Sequence, residues 1–141
     1  MIHHIWRLIL NGDLFRAPIS RNVQRVLDIG TGTGIWAIDF ADEFPSAHVI
    51  GNDLSPIQPS FLPQNCAFEV DDCEHSWTYK LDPGFDFIHI RSMAGSITDW
   101  PKLFRQAYKH ASPGGWIEIQ EYAIQMHLEE GDEHLPKIIA F

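Results

Sequence analysis

Three glycines at alternate positions, in the stretch VLDIGTGTGIWAI (26–38), restrict this chain more than any other feature of it. Gly30, Gly32 and Gly34 place three of the chain's ten glycines within five residues. Glycine loses more backbone freedom on folding than any other residue, so such a cluster needs a cause. Either the turn demands backbone angles that other residues resist, or something approaches the backbone very closely. The flanks supply a setting. RVLDI (25–29) is a short β-branched and leucine run with the look of a buried strand. GIWAIDFADEF (34–44) carries Ile35, Ile38, Ala41 and Phe44 at helical spacing and stops before Pro45. A strand, a glycine turn and a helix start together form the usual opening of a nucleotide-type site. The glycines admit a ligand to the backbone, and the helix start offers N–H groups that lack helical partners.

The rest of the chain alternates in the same way. AHVIGN (47–52) reads as a second strand ending at Asp53, CAFEV (66–70) as a third ending at Asp71-Asp72, and FDFIHI (85–90) as a fourth. SPIQPSFLPQN is a proline-rich loop. PKLFRQAYKHA (101–111) is a helix with Pro101 in its first turn and Thr98 or Asp99 as cap, its stripe including Leu103, Phe104 and Ala107. Pro113-Gly114-Gly115 turns into a fifth strand, WIEIQEY (116–122). Residues 2–10 suit a short helix stopped by Asn11-Gly12, with a hairpin onto DLFRAPI as the alternative. Strands alternating with helices imply an α/β fold, a parallel sheet covered on both faces. With 141 residues the chain is expected to form one domain: an N-terminal segment (1–22), a binding core (23–122) and a tail (123–141).

Composition narrows the partners. A net charge of −9 repels phosphate backbones and argues against direct nucleic-acid binding. No apolar run approaches the length of a membrane span, and the first residues lack a basic secretory n-region. The expected location is therefore the cytoplasm or nucleus, with Cys66 and Cys73 as reduced thiols. No metal site is expected, because neither HExxH nor CxxC spacing occurs. The acidic run EEGDE (129–133) reads as a solvated turn.

Two ligand classes compete for the glycine turn. Asp53 follows Gly34 by 19 residues, at the end of the next strand, where a carboxylate accepts from ribose hydroxyls. A dinucleotide turn reads GxGxxG, but Ile35 stands where its third glycine belongs. A pyrophosphate would also resist the carboxylate of Asp28.

DIGTGTG resembles the first motif of class I S-adenosylmethionine-dependent methyltransferases. The segments LFRAPI, VIGNDLSPIQP, DDCEHSWTY and RSMAGSITDWPKLFRQAYKHASPGGWIEIQE extend that resemblance, over about residues 5–122, to the fungal LaeA-type group of secondary-metabolism regulators and small-molecule enzymes. The resemblance implies a Rossmann-like three-layer α/β/α sandwich with strand order 3-2-1-4-5, strands six and seven lacking. It implies S-adenosyl-L-methionine as cofactor, held at Asp28, Gly30, Thr31, Gly32, Gly34, Asp53, Leu54, Asp72, Cys73 and Arg91. Asp53 would hold the ribose, and Asp72 with the backbone of Cys73 the adenine. Arg91 and Ser92 would lie nearest the methionine part. The acceptor would be a small molecule or a protein, since IRSM replaces the [DN]PP[YF] signature and the paired-glutamate loop is absent. No residue stands out as catalytic; His89 reads as core, and Tyr122 as a weak rim candidate. A non-catalytic interaction protein retaining the cofactor half-fold is the alternative. Strand five, bearing Ile117 and Ile119, would then be an exposed edge prone to pairing with another chain.

Overall fold

The computed structural model describes residues 2–122. The tail 123–141, with its acidic run, lies outside the described residues. The element order is α1 (Ile2–Ile9), β1 (Arg25–Ile29), α2 (Ile35–Glu43), β2 (His48–Asp53), β3 (Cys66–Val70), β4 (Phe85–Arg91), α3 (Trp100–His110) and β5 (Ala111–Gln120). The five strands form one sheet in the order β3-β2-β1-β4-β5, every neighbouring pair parallel. This is the expected doubly wound arrangement. The chain travels outward from β1 to β3, then returns to the far side of β1 to lay down β4 and β5. The reversal leaves a crevice at the carboxyl ends of β1 and β4, where ligands of such sheets bind.

The central strands are buried on both faces because both faces are covered. Every residue of β1 after Arg25 is buried, and so are Phe87 through Ile90 of β4. One cluster, under α2, gathers Val26, Trp36, Phe40, Val49 and Phe87. The other, under α3, gathers Leu27, Ile50, Ile88, Ile90 and Leu103. Asp99 caps α3, its carboxylate accepting from Lys102 N at 2.9 Å, with Pro101 in the first turn where no N–H is needed. At the other end of the chain, residues 2–9 are helical rather than a hairpin strand. Asn11 and Gly12 end that helix with φ of 56° and 92°.

Three expectations need correction. In the stripe assigned to α2, Ala41 and Phe44 are buried and Ile38 packs against the same cluster, but Ile35 is 46% exposed, and Trp36, Ala37 and Phe40 complete the face toward the sheet. The run IWAI is apolar at every position, so its period alone could not choose the buried face. Trp36 decides it, because its indole N–H donates to Leu14 O at 3.0 Å and its ring packs in the core. In α3, Phe104 is 42% exposed beside the buried Leu103 and Ala107. β5 also starts earlier than expected, at Ala111. Ala111 pairs with Phe85 and Trp116 with Phe87, so Pro113-Gly114-Gly115 lies in a bulge within the strand rather than before it.

Candidate functional site

The three glycines answer to different demands. All three have positive φ, of 65°, 58° and 78° in chain order, which side-chain-bearing residues resist. A Cβ on Gly30 would lie 2.2 Å from Met93 Sδ, and one on Gly34 would lie 2.2 Å from the Phe68 ring. A Cβ on Gly32 would meet nothing within 4 Å. Two glycines therefore admit the protein's own side chains, and the middle one leaves the space beside its Cα free while its C=O accepts from Gln58 Nε2 at 2.6 Å. Gly34 is also the left-handed cap of α2 and makes no side-chain cap contact, so the helix start faces the turn.

The ends of β2 and β3 close on this turn. Asp53 accepts from Gly32 N at 2.8 Å through one oxygen and from Ser55 N at 2.9 Å through the other. Asn52 O accepts from Thr31 N at 2.9 Å, and the Asn52 side chain reaches Gly30 N and the Tyr79 hydroxyl. Asp72 accepts from Glu74 N at 2.9 Å, which shapes the turn after β3. Cys73 is buried there. Burial, aided by the carboxylate of Asp72, pushes its thiol up to about 11, so it stays protonated at neutral pH.

Between these pieces lies a cleft of about 200 Å³. Gly30, Asp53, Leu54, Asp72 and Cys73 line it, five of the residues singled out from sequence. Asp71 and Glu74 add two more carboxylates, and among the described residues no lysine, arginine or histidine lines it. Such a wall disfavours a pyrophosphate and suits a ligand carrying hydroxyls, amines or positive charge. Sequence reasoning missed Asn52, Met93 and Ile97, which also line it. Asn52 could have been found, since it immediately precedes Asp53 at a strand end. Met93 could not, because its approach to Gly30 depends on the turn after β4, where Ser92 adopts φ 58°.

Asp28, Thr31, Gly32, Gly34 and Arg91 are not part of the cleft wall. Asp28 is 3% exposed. One oxygen accepts from Thr31 Oγ1 at 2.6 Å, and the other lies 2.7 Å from His89 Nδ1. His89 is fully buried, as expected, and stacks on Trp36 with ring centroids 3.7 Å apart. Its Nε2 has no hydrogen-bond partner among the described residues. Arg91 Nη2 donates to His3 Nδ1 at 3.0 Å. Burial lowers the pKa of Arg91, against the opposing pull of Asp28 and Asp39. Both faces of β5 are partly covered. Ile117 packs on the α3 cluster, and Glu118 on the other side accepts from Arg16 N and Ala17 N. Ile119 is partly exposed, and among the described residues no strand pairs with the outer edge of β5.

Comparison with known proteins agrees with this geometry. A methyltransferase domain family matches residues 1–136. Methyltransferase pytC of Aspergillus terreus is 54% identical over 132 residues, covering 93% of this chain and 40% of that protein. Secondary metabolism regulator LAE1 of Cochliobolus heterostrophus is 44% identical over 133 residues, covering 91% and 43%. The chain thus spans about two fifths of the length of these relatives. Among solved structures, phosphoethanolamine N-methyltransferase 2 of Haemonchus contortus in complex with S-adenosyl-L-methionine is 28% identical with a TM-score of 0.68. That match covers 89% of this chain and 30% of the other.

Proposed function

The chain belongs to the methyltransferase domain family, and on that footing we propose that its cleft binds S-adenosylmethionine and that the protein transfers the methyl group to a small-molecule or protein acceptor. The observation that carries this reading is the cleft wall: among the described residues, four carboxylates and no cation, beside a glycine turn whose middle residue has free space where a Cβ would lie. Asp53 keeps lone pairs beyond its bonds to Gly32 and Ser55, and these accept from the ribose hydroxyls. Asp72 accepts from the adenine amino group, with the backbone of Cys73 against the ring and Leu54 as an apolar floor. Gly30, Gly32 and Gly34 let the cofactor lie on the backbone at the start of α2. Asp28 acts through Thr31 and through its negative charge, since its carboxylate is already engaged and buried. Arg91 orients the methionine end.

When bound, S-adenosylmethionine supplies a methyl group activated by positive sulfur. The chain's own part is to hold that end in line with an acceptor and keep the donor oriented. Methyl transfer of this kind does not require a general base, and no residue is assigned that role.

Calorimetric titration with S-adenosylhomocysteine, with NAD as the control ligand, tests the reading. The first should bind and the second should not. Asp53→Ala should weaken binding about 10- to 100-fold, the loss expected for hydrogen bonds to a charged group. Absence of binding by a folded chain would sink the proposal.

A second reading, a non-catalytic interaction protein of the cytoplasm or nucleus, draws on two surfaces. α1 turns Ile2, Ile5, Leu8 and Ile9 to solvent, and the outer edge of β5 is unpaired among the described residues. Association through that edge is the expected consequence. A monomer at high concentration in sedimentation velocity would count against it. No helix among the described residues is long and apolar enough to cross a membrane.

A further inference from the structure

α1 turns most of its apolar residues outward, with His4, and its other two polar residues inward. The inward face carries His3, Trp6 and Arg7, and these reach three different elements. His3 lies between Asp39 of α2, 2.9 Å from Nε2, and Arg91 of β4, 3.0 Å from Nδ1. Arg7 Nη1 lies 3.9 Å from the same Asp39 oxygen. The buried Trp6 donates its indole N–H to Ser92 Oγ at 3.3 Å. Ser92 holds its left-handed conformation with its own N–H on Gln120 O at 3.0 Å. The next residue, Met93, presses on Gly30 and lines the cleft. A continuous set of contacts therefore runs from α1 to the wall of the cleft.

We infer that His3 is a positioning residue: it clasps α1 onto Arg91 and Asp39, and so fixes the Arg91–Met93 turn that borders the cofactor cleft. Hydrogen-bond chemistry specifies how. An arginine only donates and a carboxylate only accepts. His3 can accept from Arg91 at Nδ1 and donate to Asp39 at Nε2 in one form alone, the neutral imidazole with its proton on Nε2. A second proton would sit on Nδ1, facing the guanidinium, and would replace an accepted hydrogen bond with two opposed donors of like charge.

The charges around His3 agree. Arg91 from β4 and Arg7 from its own helix oppose its protonation, and Asp39 from α2 favours it. Asp28 on β1 acts at one remove, through Arg91. Burial is the largest influence, and together with Arg91 it lowers the pKa of His3 from its ordinary 6.5. The folded value is below the unfolded one, so the clasp is complete above about pH 6.5 and is lost as pH falls through the folded value. Acidification should release α1 without unfolding the sheet.

The link to the cleft rests on the reading of that cleft as a cofactor site; the clasp itself does not. Two measurements on the whole chain keep them apart. The first is hydrogen exchange of the α1 amides in ligand-free protein, corrected for intrinsic rate, at about pH 7.5 and about pH 5. The second is the affinity for S-adenosylhomocysteine at the same two pH values. His3→Gln offers one acceptor and one donor and does not titrate, whereas His3→Leu offers neither.

The native chain should lose α1 protection once pH falls below the folded value of His3, reached by extending the acid point downward while the sheet stays folded, and its affinity should then fall about threefold to tenfold, the worth of one net hydrogen bond. His3→Gln should keep both throughout that range, and His3→Leu should lack both throughout it. Protection that ignores pH, or that is lost equally in the two variants, overturns the clasp. Release of α1 with unchanged affinity overturns the positioning role. If the native chain binds no S-adenosylhomocysteine at any pH, the proposed function fails, and the exchange measurement still decides on His3.

Discussion

Two rows of side chains, one residue apart in sequence, cross the same sheet on opposite faces. On the face toward α3, strand register aligns Ala67, Ile50, Leu27, Ile88 and Ile117. On the face toward α2 it aligns Phe68, Gly51, Asp28, His89 and Glu118. The first row is wholly apolar, and all of it but Ala67 at the edge belongs to one core cluster. The second contains a buried carboxylate, a buried imidazole and a glycine against which Phe68 and Thr31 press, at 2.7 Å from where its Cβ would be. An apolar row needs only volume and adds stability through area removed from water. A polar row needs each partner in place, because a buried group left unpaired costs more than its bond contributed. The polar row runs directly behind the glycine turn. Asp28 ties Thr31 within the turn, and Phe68 fills the space that Gly34 and Gly51 leave. One face holds the sheet together, and the other shapes the turn.

The largest test removes half of the polar pair. Asp28→Leu should destabilise the chain by about 3–5 kcal/mol, as breaking a buried pair does, and Asp28→Leu with His89→Leu should recover most of that. Ile88→Val, one residue from His89 on the apolar face, should cost only about 1 kcal/mol. Urea midpoints at constant slope measure all three. A double variant no more stable than Asp28→Leu would mean that the two rows do not differ in kind.

The next test lies within the glycine turn. Gly34→Ala must adopt φ of 78° and displace the Phe68 ring, so its cost should exceed the conformational term of about 1–2 kcal/mol. Gly32→Ala carries that term alone, because its Cβ meets nothing. A larger loss of stability in Gly32→Ala would overturn the assignment of Gly34 to packing.

The smallest effect concerns the two thiols, one in each core cluster. Burial pushes both Cys66 and Cys73 up to about 11, with nearby carboxylates adding to it. Only about a thousandth of either is ionised at about pH 8, so both should alkylate slowly in the native state. Cys66 packs in the α2 cluster and Cys73 in the α3 cluster. Asp28→Leu should therefore speed alkylation of Cys66 more than that of Cys73, as mass spectrometry after a timed pulse would read. Equal acceleration would show that the two faces open together.

Much of the fold was legible from local pattern. The limits of β1 and β3 coincide with the runs RVLDI and CAFEV, because a short apolar run bounded by turn residues marks a strand, whether central and buried as β1 is or half-exposed at the sheet edge as β3 is. Asp99 was legible as a cap and Asn11-Gly12 as a helix stop, since both act on neighbouring backbone. That Trp36 rather than Ile35 faces the sheet in α2 was not. Its apolar residues allow two buried faces, and the choice fell to Trp36, whose partners are Leu14 and His89. The early start of β5 was hidden because a bulge in the register with β4 absorbs Pro113-Gly114-Gly115. In the candidate site, Gly30, Asp53, Leu54, Asp72 and Cys73 do meet around one cleft, because strand ends and the turns after them are local features. Met93 and His3 belong to elements far along the chain from the turn they support.

The amino-acid sequence by itself determined the order of elements, the parallel sheet and the turn of three glycines, because alternation, apolar runs and positive-φ residues are properties of short segments. It also supplied the acids at the ends of β2 and β3. Only the tertiary structure decided that Asp28 faces His89 rather than solvent, that Met93 closes on Gly30, and that His3 lies between Arg91 and Asp39. These contacts join residues separated by 36 to 88 positions or depend on the register of parallel strands. Such pairs form only when the whole sheet and both its covers are assembled, so no short window of sequence contains them.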